Sequence, residues 1–188
     1  MANVKPKAWR QISSECVADC KVFKVLKNRF RHPDGREGDF FINVSADWVQ
    51  VAPIIGGDSV LLVNQYRFGV DKFSWEFPGG IMEKGETPEE AAARELLEET
   101  GYKGQVKLIG GFSPNPAIQN NRAFFTVAKN CEKLAETHWD EHEELESKIV
   151  KISDLDDMVF SGQIHHSIAI NGVYLLQKYL SKNATIQG

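Results

Sequence analysis

Between Thr87 and Gly101 the chain carries both a start and a stop signal for a helix, and whatever it folds into must accommodate that element. Thr87 can cap, Pro88 suits the first helical position, and Glu90 completes a capping box. Gly101 fits the C-terminal stop. At 100° per residue, Ala92, Ala93, Leu96 and Leu97 form an apolar stripe expected to pack on a sheet. The segment from Gly79 to Tyr102 holds seven glutamates against one lysine and one arginine. Three of them, Glu95, Glu98 and Glu99, crowd the last turn and a half, where like-charge pairs and the negative end of the helix dipole both oppose them. Arg94 offsets some of that charge through Glu90 and Glu98, each four residues away. The remainder would suit a solvated acidic face or a cation, and all-oxygen ligands fit Mg²⁺ or Mn²⁺ rather than zinc or copper.

The sheet is expected from apolar runs on either side. KVFKVLKNRF, the turn HPDGREGD and DFFINV read as an exposed hairpin. VQVAPII, a Gly56-Gly57-Asp58 turn and SVLLVNQYR read as a more buried one. SWEFPGG is a short strand ended by Pro78, with further strands at QVKLIGGF, RAFFTVA and KIVKI. Helical patterns close the chain near DLDDMVF and from about His166 to Leu180, where Ile168, Val173, Leu175, Leu176 and Leu180 fall near helical spacing. Strands and helices do not alternate regularly, which predicts α+β or a mixed-sheet α/β sandwich. Glu132 to Glu146 is acidic and turn-like, as in a long surface loop.

Composition narrows the class. At 188 residues with 42% hydrophobic and 26% charged content, the chain suits one soluble domain with a proper core, or one plus a small appendage. A net charge of −4 and pI near 5.8 lack the basic footprint of a nucleic-acid binder. The start, MANVKPKAWRQ, has charges with no apolar run behind them, so no secretory leader is expected. Nor does any stretch have the length of a membrane span. Three cysteines, Cys16, Cys20 and Cys131, lack zinc spacing and read as reduced thiols of a cytoplasmic protein.

The glutamate spacing resembles a known family. Gly80, five residues, Glu86, seven residues, then Arg94-Glu95-Leu96-x-Glu98-Glu99-x-Gly101-Tyr102 is similar to the Nudix box at every defined position. That resemblance implies a mixed sheet sandwiched between helices and hydrolysis of a nucleoside diphosphate linked to another group. It implies Glu95 and Glu99 as the main ligands of Mg²⁺ (or Mn²⁺), with Glu98 as a further ligand or base and the Gly79 carbonyl as a backbone ligand. Glu86 and Arg94 would orient this constellation.

Outside the box the resemblance is to the branch of ADP-ribose pyrophosphatases and nucleoside-diphosphate-sugar hydrolases, with substrates of the ADP-ribose or GDP-mannose type. NQYRFGVDKFSWEFPGG resembles that branch's lead-in, where an arginine matching Arg67 contacts phosphate and Glu76 lines the site. Pro116, fifteen residues after Gly101, matches ADP-ribose hydrolysers. Loop rigidity is the equal alternative for Pro114 and Pro116. Ile118 and Gln119 stand where dinucleoside polyphosphate hydrolases carry a tyrosine. The acidic loop DEHEELESKIVKISDL resembles one that supplies a catalytic glutamate, best registered on Glu143, with Glu141, Glu144 and Glu146 as alternatives. Residues 1–45 are expected to form a β-rich dimerisation region and 46–188 the hydrolase domain. The resemblance implies a homodimer in which an aromatic, best aligned as Phe40 with Phe41 and Trp48 nearby, stacks on the base. Strand phenylalanines serve equally as core or dimer packing. His138, His142, His165 and His166 receive no role, and Trp139 reads as a loop anchor. The other readings are a Nudix enzyme of nucleoside triphosphates or capped RNA ends, and a sensor that binds a sugar nucleotide without hydrolysing it.

Overall fold

A computed structural model describes residues 5–137 and 144–184, with the side chain of residue 184 left aside. The chain divides into two units: residues up to Ala46 together with Ser113–Asn121, and Asp47–Phe112 together with Arg122 onward.

The first unit is an antiparallel three-stranded meander of β1 (Arg10–Asp19), β2 (Phe23–Arg31) and β3 (Glu37–Ser45). Its β2–β3 turn closes through Gly35, whose φ of 96° suits a residue without a Cβ. Cross-strand pairs of opposite charge support the register, with Arg29 on both Glu37 (2.9 Å) and Asp39 (3.0 Å) and Lys27 on Asp39 (3.2 Å). Trp9, Phe30, Phe40 and Ile42 line an apolar hollow of about 230 Å³, with Phe40 edge-on to Trp9 and Phe30. The Ser113–Asn121 segment joins this unit by bonding to β3, where the Asn43 N–H donates to the Ile118 carbonyl at 2.7 Å. The reading of the sequence did not include β1. RQISSECVAD is exposed along almost its whole length, so it lacks the apolar alternation that marks a half-buried strand.

The second unit is built on a mixed seven-stranded sheet. Its strands are β4 (Trp48–Ile55), β5 (Ser59–Arg67), β6 (Lys72–Glu76), β7 (Gly79–Ile81), β8 (Tyr102–Phe112), β9 (Ala123–Lys133) and β10 (Glu146–Lys151). The order is β10-β5-β4-β9-β8, with β6 beside β5 and β7 beside β4. Only β4 and β9 run parallel among these pairs, and the rest are antiparallel. Period-2 alternation sends Val49 and Val51 to one face and Ala52 to the other. Helix α1 (Pro88–Thr100) covers the first face through Ala91, Ala92 and Leu96. Helices α2 (Leu155–Phe160) and α3 (Ser167–Ala184) cover the second, around Phe77, Phe125, Val127 and Leu176. The expected sandwich of a mixed sheet between helices is therefore present. No helix among the described residues is long and apolar enough to cross a membrane.

The strand before Pro78 ends at Glu76, and the two glycines expected to help end it instead open a further strand, β7, pairing Gly79 with Gln50 and Gly80 with Val49. The buried stripe of α1 is rotated relative to the expected one. Leu97 is 38% exposed and Ala93 is exposed, whereas Ala91, Glu99 and Thr100 are buried with Ala92 and Leu96. One of the crowded glutamates thus belongs to the face turned toward the sheet.

Candidate active site

Helix α1 starts as its sequence dictates. The Thr87 side chain accepts from the Glu90 N–H, and the Glu90 carboxylate accepts from the Thr87 N–H at 2.8 Å. Such a cap contributes about 1 kcal/mol. It also consumes Glu90, so the expected Arg94–Glu90 pair is absent and Arg94 reaches elsewhere. Its guanidinium grips both Glu86 oxygens (2.9 and 3.0 Å), the Glu95 carboxylate (2.8 Å), the Glu98 carboxylate (3.1 Å) and the Ile81 carbonyl (3.1 Å). Donating to the Glu86 carboxylate raises the Arg94 pKa above its ordinary value, and the same bonding lowers that of Glu86. Arg94 therefore joins the loop before the helix, the helix itself and strand β7.

At the other end, Gly101 adopts φ 73° and its N–H caps the Leu97 carbonyl. Just before that cap, Glu99 is only 5% exposed and accepts the Gly79 N–H at 2.9 Å. Strand β7 is thereby drawn against the glutamates, and its two glycines are needed for the approach. A Cβ on Gly80 would lie 2.5 Å from a Glu95 oxygen, and one on Gly79 would lie 2.1 Å from the Val49 carbonyl oxygen.

The arrangement can be tested for a divalent cation. Among the described residues no three His, Cys, Asp or Glu side chains stand as a closed set of ligands. Mg²⁺ does not require one, since it keeps several waters and takes one or two carboxylates. Glu95 beside the bare Gly80 backbone, and buried Glu99 beside Gly79, supply hard oxygen donors where β7 leaves room for no side chain of its own. The residues fit such an ion.

Beside this lies a second polar cluster. Glu76, at the end of β6, is fully buried, and Arg67, at the end of β5, holds both its oxygens at 2.8 and 2.7 Å. His166 Nδ1 stands 2.7 Å from Glu76 Oε2, and the Gln50 amide donates to the same oxygen at 3.3 Å. Burial works to raise the Glu76 carboxyl, but Arg67 and His166 outweigh it and hold it at about 2. A cleft of about 260 Å³ opens here, lined by Gln50, Arg67, Gly79, Gly80 and His166. A larger hollow of about 660 Å³ shares Arg67 and His166 with it and continues past Tyr66 and Phe68.

The structure thus brings together Gly79, Glu95, Glu98 and Glu99 through β7 and Arg94, and pairs Arg67 with Glu76. Phe40 and Pro116 belong to the first unit, where Phe40 packs on Trp9 and Pro116 is exposed in a turn. Glu143 and Glu141 lie outside the described residues. Of their alternatives, Glu144 is exposed, and Glu146 accepts from Asn64 at 3.3 Å on β10. His166 is the residue that sequence reasoning missed. Its one local signal was its place ahead of a helix, and nothing in the sequence joins it to Glu76, 90 positions away.

Comparison with known proteins follows the same lines. A family model described as NUDIX domain matches residues 47–167. The ADP-ribose pyrophosphatase of Mycobacterium tuberculosis is 30% identical over 173 residues, 88% of this chain and 81% of that one. The ADP-ribose pyrophosphatase of Bacillus subtilis is 27% identical over 170 residues, covering 89% and 92%. The mouse ADP-sugar pyrophosphatase is 38% identical over 105 residues, 50% of this chain, which spans 48% of the mouse protein's length. In fold, the chain superposes on a crystal structure of an ADP compounds hydrolase with a TM-score of 0.86 at 20% identity, covering 96% and 98% of the two chains.

Proposed function

Since the chain belongs to the NUDIX family, on the branch of the ADP-ribose and ADP-sugar pyrophosphatases, we propose that it hydrolyses the diphosphate bond of nucleoside diphosphate sugars in a Mg²⁺-dependent reaction. Sugar nucleotides of the ADP-ribose type are the first choice, GDP-mannose the second. The observation that carries this reading is the approach of β7 to α1, with Gly79 bonded to Glu99 at 2.9 Å and Gly80 bare against Glu95. Relatives named for ADP-ribose and ADP-sugar support the substrate class.

In this reading Glu95, Glu98, Glu99 and the Gly79 carbonyl hold the cation. When bound, such an ion neutralises charge on the diphosphate and makes a coordinated water more acidic. Water attacks one phosphorus and the bridging P–O bond on that phosphorus breaks. A carboxylate takes the proton, with Glu143 the favoured base and Glu98 the alternative. The products are a nucleoside monophosphate and a sugar phosphate. Arg67, held in place by Glu76, steadies a phosphate in the cleft that it lines with Gly79. We assign base stacking to Phe40 and a substrate contact to Pro116, in a homodimer assembled through residues 1–45, with no nucleic acid or membrane as partner.

A hydrolysis panel tests the proposal. ADP-ribose, GDP-mannose, UDP-glucose, a nucleoside triphosphate and a dinucleoside polyphosphate are incubated with Mg²⁺ or EDTA, and products are separated chromatographically. Release of a monophosphate and a sugar phosphate only with Mg²⁺ is expected. Turnover confined to the triphosphate, with pyrophosphate as product, would overturn the substrate class.

A further inference from the structure

His166 stands immediately before α3 and presents its ring between two groups of very different character. On one side is Glu76, fully buried and gripped at both oxygens by Arg67. A carboxylate only accepts hydrogen bonds, so the imidazole nitrogen 2.7 Å from it, Nδ1, carries a proton and donates. That bond fixes the orientation of the ring. Its other nitrogen, Nε2, has no hydrogen-bond partner among the described residues, although the side chain is only 29% exposed.

The ring lines both hollows described above, at the point where they share Arg67. Gly79 and Gly80 line the smaller one with it, so the ring borders the same space as the strand that carries the proposed ion-holding backbone. A guanidinium and an oriented imidazole in one cleft suit an anion.

We propose that His166 is a substrate-binding residue whose Nε2 hydrogen-bonds a phosphoryl oxygen of the diphosphate where the two hollows meet, with Glu76 fixing the ring from behind. This rests on the nucleotide-sugar reading above. The bond is made by the ring that carries a proton on Nε2 as well as on Nδ1. Arg67 and His166 are then paired donors to one diphosphate. Glu76 is the common anchor of both.

Two substitutions separate a contact to substrate from mere support of Glu76. His166→Asn places its amide near Nδ1 and keeps the Glu76 bond, but has no atom at Nε2. His166→Gln places its amide near Nε2 and sacrifices the Glu76 bond. ADP-ribose binding to the metal-free protein is measured by calorimetry, and KM and kcat with Mg²⁺. A charged hydrogen bond to substrate predicts that His166→Asn raises both Kd and KM about 10-fold with kcat changed less than about 2-fold, whereas His166→Gln stays within about 3-fold of wild type. Wild-type binding and KM in His166→Asn would overturn the inference alone, since the wild type would still hydrolyse ADP-ribose. A wild-type protein that neither binds nor hydrolyses ADP-ribose would overturn the nucleotide-sugar reading and this inference with it.

Discussion

The Glu99 carboxylate accepts the Gly79 amide hydrogen at 2.9 Å, so the last turn of α1 is bonded directly to the first residue of β7. A carboxylate left 5% exposed costs free energy unless something compensates its charge. The Gly79 N–H meets one of its oxygens, which sets the carboxylate at the end of α1 against the backbone of β7.

Glu99→Gln removes that charge while keeping an oxygen for the Gly79 N–H. We expect kcat/KM to fall about 100-fold or more with little change in thermal stability. Steady-state kinetics over a range of Mg²⁺ concentrations and a thermal melt check both halves. Unchanged turnover would remove Glu99 from the ion site.

The paired glycines separate function from folding. A Cβ on Gly80 meets the far end of the flexible Glu95 side chain, which can withdraw. Gly80→Ala is expected to cost less than about 1 kcal/mol in stability, yet to weaken Mg²⁺ dependence by about 10- to 100-fold as the carboxylate is displaced. Gly79→Ala instead drives a methyl to within 2.1 Å of the Val49 carbonyl oxygen in β4, which cannot withdraw without breaking the sheet. Its cost should exceed about 3 kcal/mol in urea unfolding. Equal stability losses in the two variants would show that the spacing of β7 and α1 is softer than described.

Arg94→Lys tests the hub. A lysine cannot bond both Glu86 oxygens side by side and also reach Glu95 and Glu98. A loss of about 1–3 kcal/mol is expected from the charge-assisted bonds forgone. Repulsion among the three freed carboxylates should also make the variant's stability rise with added Mg²⁺ more than that of wild type. Denaturant curves with and without Mg²⁺ measure the difference, and identical Mg²⁺ effects in both proteins would count against the arrangement.

What could be read in advance was whatever depends on neighbours in sequence. The cap at Thr87, the stop at Gly101 and the alternation of β4, β5 and β9 are local, and the spacing of the glutamates carried the family. Burial of Glu99 was not local. The apolar count favoured Leu97 and Ala93 for the inner face, but β7 approaches from the side of Gly79 and Gly80, which turns Ala91, Leu96 and Glu99 inward. The Glu76 cluster draws on β4, β5, β6 and the lead-in to α3, and only the sheet order β5-β4 with β6 outside brings them together. Strand β1 has no apolar face to announce it. Glu143 rests on register within an acidic loop, outside the described residues.

The same Glu76 cluster sets an acid limit on stability. Burial alone would raise the Glu76 carboxyl above the ordinary 4.5, but Arg67 and His166 hold it at about 2. A folded-state value below the unfolded one stabilises the native protein fully above about pH 4.5, and the contribution is lost as pH falls from there toward 2. A shift of this size corresponds to at most about 3 kcal/mol. Unfolding free energies from pH 7 to pH 2 should therefore fall more steeply below pH 4.5 in the wild type than in Glu76→Gln. That variant should start less stable at pH 7, because Arg67 and His166 lose their carboxylate, and the two curves should converge in acid. Parallel curves across the whole range would mean that the Arg67 and His166 bonds do not hold Glu76 ionised in solution.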